Sequence, residues 1–171
     1  MNNIITYLAL TILNLTLCPN KIEKKINCME MIAKDSLILK KGYSEVNGLS
    51  MYYEIYGQGK PIVLIHGGGS TIQTSFEKII PLLAQKRMVI AMELQAHGRT
   101  NDRNADLTFE QDADDVATLL KNLKIDQSDF LGFSNGGTTA LQIAIRHPAL
   151  VDKLILASPL AKRNGAPNWF W

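Results

Sequence analysis

The pentapeptide Gly132-Phe133-Ser134-Asn135-Gly136 has the residue types and spacing of a nucleophile on a sharp turn. A serine hydroxyl attacks best when a strand-to-helix turn pushes its Oγ clear of the sheet edge. That turn strains the serine backbone. It also presses the residues two before and two after against each other, where a side chain would be in the way, and Gly132 and Gly136 have none. The helix that follows would aim its N-terminus at the serine and favour developing negative charge. The same five residues also suit an ordinary strand-to-helix loop with Ser134 as N-cap. Upstream stands Ile65-His66-Gly67-Gly68-Gly69-Ser70, a run whose backbone N–H groups a ligand can approach. With Ser134 as nucleophile, the N–H groups of Gly68 and Asn135 form an oxyanion hole. A flexible glycine loop and a phosphate cradle are the alternatives. A Walker-type loop needs Gly-Lys-Ser/Thr after the glycines, and a dinucleotide fingerprint needs Gly-x-Gly-x-x-Gly; neither is present.

These residues need elements to hold them. Tyr43–Val46, Asn47-Gly48 and Leu49–Tyr56 read as a hairpin, because Asn-Gly between apolar runs favours the tight turn of paired antiparallel strands. Pro61–Ile65 and Met88–Met92 are short, continuously apolar runs, the pattern of strands covered on both faces. Helical spacing runs from about Ser75 to Lys86. Leu107 to Leu123 is amphipathic: Phe109, Ala113, Val116, Leu119, Leu120 and Leu123 share a face, and Asp112, Asp114 and Asp115 lie near the start. Phe130–Phe133 reads as a strand, Asn135–Arg146 as a helix and Leu154–Ala157 as a strand. Strands alternating with helices imply an α/β fold, with a mostly parallel sheet, helices on both faces and an antiparallel hairpin in front.

Pro61–Gly69, Glu93–Thr100, Leu131–Gly137 and Val151–Pro159, in that order, resemble the α/β-hydrolase superfamily, and the likeness covers about Tyr43 to Pro159. It is nearer to compact bacterial esterases and carbon–carbon bond hydrolases than to lipases with long insertions. The resemblance implies a serine hydrolase acting on a small ester-like or related substrate, with no cofactor. The serine counts against haloalkane dehalogenases and epoxide hydrolases, which resemble this fold but use a carboxylate. One departure stands out: the family loop after the fourth strand usually reads Asp-x-x-Gly-His-Gly, and here Glu93 and Ala96 replace Asp and Gly. That loop and the His66-Gly67 pair are structural in the family, so His66, Gly67 and His97 are expected to shape loops.

The family also needs a base histidine and an orienting acid after the serine in chain order. The last histidine is His147, which lies thirteen residues beyond Ser134 at the far end of the same helix, roughly 20 Å away. The expectation is a truncated domain over 39–171 that lacks the C-terminal strands and cap and has little activity by itself. The alternative is a non-catalytic remnant, or a half that binds a partner. In a domain ending there, Leu154–Ala157 becomes an exposed apolar edge through which chains could self-associate. The aromatic tail from Asn164 to Trp171 resembles the entrance to a cap segment.

Composition agrees with a globular domain: 46% hydrophobic and 20% charged residues among 171, enough to bury a core. The net charge of +2 is small, and the basic run Lys21–Lys25 has no interleaved aromatics, so no nucleic-acid partner is expected. The two cysteines, Cys18 and Cys28, have no metal-ligand spacing, and no metal site is expected. Residues 1–38 read as a leader and linker. Ile4–Leu17 is too short to span a membrane and fits the apolar core of a secretory signal. However, Met1-Asn2-Asn3 lacks a positive charge and no Ala-x-Ala site follows. Leu15–Cys18 is a loose lipoprotein-box pattern with Leu17 too large. Export and a cytoplasmic location both stay open.

Overall fold

The computed structural model describes residues 38–162 together with Glu23 and Gly165. The expected leader, both cysteines and nearly all of the aromatic tail lie outside these residues. The described chain forms a six-stranded sheet in the order β1-β2-β4-β3-β5-β6. Its strands are β1 Ile38–Val46, β2 Leu49–Tyr56, β3 Lys60–Ile65, β4 Arg87–Met92, β5 Ser128–Phe133 and β6 Val151–Ala157. β1 and β2 run antiparallel, β2 pairs antiparallel with β4, and the β4-β3-β5-β6 block is parallel. The helices are α1 Ile72–Phe76, α2 Ile80–Leu83, α3 Phe109–Asn122 and α4 Asn135–Arg146. The α/β-hydrolase fold expected from the motifs is present.

Period-two alternation assigns each central strand to two cores. Val63, Ile65, Ile90 and Met92 face one side with Val116 and Leu120 of α3 and Ile143 of α4. Ile62, Leu64, Val89 and Ala91 face the other side with Ile72 and Phe76 of α1 and Ile80 of α2. A strand between two helical layers has no polar face to show, which explains the unbroken apolar runs. Asn47 at φ 48° and Gly48 at φ 80° make the β1–β2 turn, the left-handed pair that an Asn-Gly hairpin needs.

The single helix expected between about Ser75 and Lys86 is instead two short ones. Thr71 caps α1 through a reciprocal bond with Thr74, and Pro81 occupies the first turn of α2. A proline inside a continuous helix loses its ladder bond and clashes with the preceding turn, so the chain restarts there. The carboxylates of α3 are more deeply placed than a helix-start reading suggests. Asp115 is fully buried and accepts from Asn47, Gln111 and Arg103, so it ties the 101–106 loop and the β1–β2 turn to the helix. Asp102, exposed in the 101–106 loop, accepts from Gln95 at 2.7 Å and from its neighbour's N–H.

Asp112 is buried one turn from Asp115. Burial, then the Asp115 charge, push its pKa up to about 7, against the pull of Arg103. A carboxyl raised in the folded state binds its proton more tightly there than in the unfolded chain. Its contribution to stability is therefore complete below the ordinary carboxylate range and is lost as pH rises toward about 7. Asp112→Asn should be more stable than the parent above neutral pH. Its urea midpoint should also fall less steeply between about pH 4 and about pH 7 than the parent's.

Candidate active site

The sheet order places β3 between β4 and β5, so successive crossovers leave it in opposite directions. A crevice opens beyond the carboxyl ends of the strands at such a switch point. Ile65 pairs with Gly132 across β3 and β5, which brings the His66–Gly69 loop beside Phe133 and Ser134. The two motifs, far apart in sequence, meet at this edge.

Ser134 is the N-cap of α4 and stands at φ 52°, ψ −115°. A non-glycine residue there costs about 1–3 kcal/mol and persists only where its surroundings over-determine it. Ser134 N–H donates to the Ala157 carbonyl at 2.8 Å, and its own carbonyl accepts from Thr138 N–H at 3.1 Å. Thr138 Oγ1 in turn accepts from Leu160 N–H at 2.9 Å. The end of β6 and the segment after it therefore hold the turn from outside.

The glycines hold it from inside. A Cβ on Gly132 would lie 2.1 Å from the Gly136 carbonyl oxygen, and one on Gly136 would lie 2.1 Å from the Ile65 carbonyl oxygen. Gly67 packs against the exposed Phe133 ring, which a Cβ would meet at 3.1 Å. Gly68 is different: a Cβ there would sit 3.6 Å from Asn135 Cβ, an ordinary contact that also shows how near the two residues lie. Ser134, Gly68 and Gly69 are exposed, and Asn135 is half-buried. Among the described residues, no backbone or side-chain acceptor takes the N–H of Gly68 or of Asn135.

The three histidines are all engaged. His66 is fully buried; its Nδ1 lies 2.7 Å from the Gly67 carbonyl, and its Nε2 accepts from Leu94 N–H at 3.0 Å. His97 has Nδ1 2.8 Å from the Gln95 carbonyl, and its Nε2 accepts from Gly69 N–H at 3.0 Å. His147 closes the far end of α4 and contacts Asp114 at 2.7 Å, beside the Arg146–Asp114 ion pair. Arg146, first, and then His147 hold the Asp114 carboxyl below the usual carboxylate range.

Sequence reasoning missed a polar cluster beside the glycine loop. Glu54 of β2 and Glu93 after β4 are 1% and 0% exposed, and Arg99 binds both. Glu54 also accepts from Tyr52, Tyr56 and Gln73, while Arg99 lies over the Tyr52 ring at 3.8 Å. Burial alone would raise the Glu93 carboxyl, but the hydrogen bonds and charge of Arg99 outweigh it and leave the pKa lowered. The glutamate that departs from the family pattern thus anchors its loop. Gly98 leaves room for it, since a Cβ there would meet Glu93 Cδ at 2.4 Å. Ala96, where the family has glycine, takes φ 60°. No single motif marks this cluster, because its members come from four separate stretches. Among the described residues no group of His, Cys, Asp and Glu side chains is arranged to hold a metal. An open groove of about 830 Å³, lined by Asn47, Asp114, Lys121 and His147 among others, includes none of the Ser134 or glycine-loop residues.

A sheet of this order, with a strained serine at the switch point and a glycine loop beside it, defines a class of α/β fold. The family model for the alpha/beta hydrolase fold matches residues 60–171, and the chain belongs to that family. It is 38% identical over 104 residues to 2-hydroxymuconate semialdehyde hydrolase of Pseudomonas sp. (strain CF600), covering 58% of this chain and 36% of that protein. It is 30% identical over 149 residues to serine hydrolase BPHL of Mus musculus, covering 84% and 51%. Among solved structures, the enol-lactonase from Burkholderia xenovorans LB400 superposes with a TM-score of 0.67 at 28% identity, covering 70% of this chain and 47% of that one. The chain spans about a third to a half of the length of the curated relatives it matches.

The contacts at the glycines make a contrasting pair of variants. Gly136→Ala should destabilise the domain by about 1–3 kcal/mol or more, because backbone must move to admit the methyl group. Gly68→Ala should cost within about 0.5 kcal/mol, since only ordinary contact is made. Denaturant midpoints of the two variants test the assignment; equal losses would contradict it.

Proposed function

We propose that this chain carries the nucleophile and oxyanion half of a serine hydrolase. Ser134 Oγ attacks a carbonyl carbon of an ester, a related acyl group or the ketone of a carbon–carbon bond substrate. The carbonyl oxygen gains negative charge and receives hydrogen bonds from the N–H groups of Gly68 and Asn135. The observation that carries the reading is the Ser134 turn: a strained serine on an α4 N-terminus, beside two backbone donors that find no acceptor among the described residues. Strain of this kind marks sites where geometry serves chemistry. The likeness to a semialdehyde hydrolase and an enol-lactonase supports a small-molecule substrate with a reactive carbonyl.

Collapse of the tetrahedral intermediate expels an alcohol or a stabilised carbanion, which takes up a proton, and leaves an acyl-serine for water to hydrolyse. The Ser134 proton needs a base. His66 and His97 have both ring nitrogens committed to backbone groups, and His147 is bound to Asp114. In the family the base follows the nucleophile in chain order, and His147, the one histidine after Ser134, stands at the far end of α4.

The 171-residue chain should therefore hydrolyse p-nitrophenyl esters little or not at all, since losing the base histidine costs about 10⁶ in turnover in the subtilisin example. It should still form a tetrahedral adduct with an arylboronic acid, seen by boron NMR, and Ser134→Ala should remove it. Ordinary turnover lost in Ser134→Ala would overturn the assignment of the base. No adduct at millimolar boronate would overturn that of the nucleophile.

A second reading is a half completed by a partner, and one observation favours it. β6 is the sheet edge among the described residues, with Ile155 48% exposed. Its backbone offers a free pairing edge. If β6 pairs between chains, light scattering at tens of micromolar should show oligomers, and Ile155→Lys should reduce them.

A further inference from the structure

The histidines beneath the glycine loop are held in one neutral tautomer by their partners. The rings of His66 and His97 stand with centroids 4.9 Å apart. Leu94 N–H donates to His66 Nε2 and Gly69 N–H donates to His97 Nε2, both at 3.0 Å. A ring nitrogen that accepts carries no proton, so the proton of each neutral ring lies on Nδ1. There it donates to a carbonyl, of Gly67 at 2.7 Å from His66 and of Gln95 at 2.8 Å from His97. This tautomer follows from the bonding pattern.

We propose that His97 is a positioning residue of the oxyanion loop: its neutral Nε2 holds Gly69 N–H, so aims the adjoining Gly68 N–H toward Ser134, and releases it on protonation. The proposal rests on the role given above to Ser134 and Gly68. Gly69 stands at φ 65°, and His97 is the acceptor of its N–H among the described residues. Apart from that bond, the loop's internal tie is Ser70 N–H to the Gly67 carbonyl at 3.3 Å. A protonated His97 would present Nε2–H to Gly69 N–H, donor against donor, and the bond would be lost.

The two histidines differ in burial. His66 is fully buried; burial lowers its pKa and the neighbouring His97 adds to the effect, against the Gly67 carbonyl. His97 is only half-buried. The charged groups around the pair are Glu93, at the end of β4, and Arg99, which binds that carboxylate. Residues 67–70 of the opposing loop carry no charge. The bond is thus present with the neutral ring and is lost in the protonated one.

Amide hydrogen exchange and ring ¹⁵N spectra of the whole chain across a pH series test this. Wherever Gly69 is protected, His97 Nε2 should read as an unprotonated acceptor. Gly69 exchange, corrected for its intrinsic rate, should accelerate roughly five- to tenfold as the ring titrates, the change a net hydrogen bond carries. His97→Gln, whose Oε1 accepts but does not titrate, should keep Gly69 protected and abolish the pH step. His97→Leu should exchange fast at every pH while β3 and β5 amides stay protected, which separates loop release from general unfolding. A Gly69 amide equally protected in His97→Leu, or indifferent to His97 protonation, overturns the proposal. Arylboronate affinity links the loop to the site and should weaken in His97→Leu. Unchanged affinity there, with the adduct still lost in Ser134→Ala, overturns the positioning role alone. No adduct in the parent overturns the Ser134 reading, and the positioning role with it, even where Gly69 still follows His97.

Discussion

Everything at the candidate site depends on how closely the start of α4 approaches the ends of β3 and β5. Gly136 lies against the carbonyl of Ile65, and Gly132 against that of Gly136, with no room for a methyl group at either place. That approach fixes where the helix begins, and so forces Ser134 into its strained backbone conformation. It also seats the serine beside the loop that leaves β3. A looser approach would let the turn relax and carry the hydroxyl away from Gly68. The strain of about 1–3 kcal/mol is offset by packing on both sides, by the Ala157 carbonyl that takes Ser134 N–H, and by the paired cores beneath.

The second support is electrostatic and lies on the opposite side of the glycine loop. Two buried carboxylates, Glu54 and Glu93, would be costly without partners. Arg99 meets both, and Tyr52, Tyr56 and Gln73 take up the remaining acceptor capacity of Glu54. Through Gln73, Glu54 reaches α1, which starts just after the glycine loop, and Glu93 begins the His97 loop. The cluster therefore sets the distance between the two loops that the histidine pair then bridges. A glutamate in place of the family's aspartate lengthens the reach to Arg99 without opening the loop, because Gly98 leaves the space.

What could be read in the chain and what could not divides along sequence distance. The Asn47-Gly48 hairpin, the doubly buried strands and the helix from Asn135 to Arg146 follow from neighbours within a few residues, and the structure contains them. The break between α1 and α2 is also local, and Pro81 marks it, but the apolar spacing across 75–86 masks the interruption. The burial of Asp112 and Asp115 was not legible. Acidic residues near a helix start are normally solvated, and only Arg103, Asn47 and Gln111, gathered from three places, reveal Asp115 as a structural anchor. The Glu54–Arg99–Glu93 cluster was hidden for the same reason. Motifs report residues that must be adjacent; salt-bridge networks need only be near in space.

The histidines near Ser134 are engaged with the backbone. A general base must have a free nitrogen within reach of the serine and tolerate both protonation states. His66 and His97 lie beside the site but have spent their nitrogens on backbone N–H and carbonyl groups. Each bond needs a ring nitrogen that accepts, which is the opposite of what proton transfer asks. A catalytic histidine at either place would have to give up its bond to Leu94 or Gly69, and the loop bearing Gly68 would loosen as it did so. Geometry for the oxyanion and chemistry for the proton are therefore best carried by different residues. In these 171 residues the histidines near Ser134 serve the geometry.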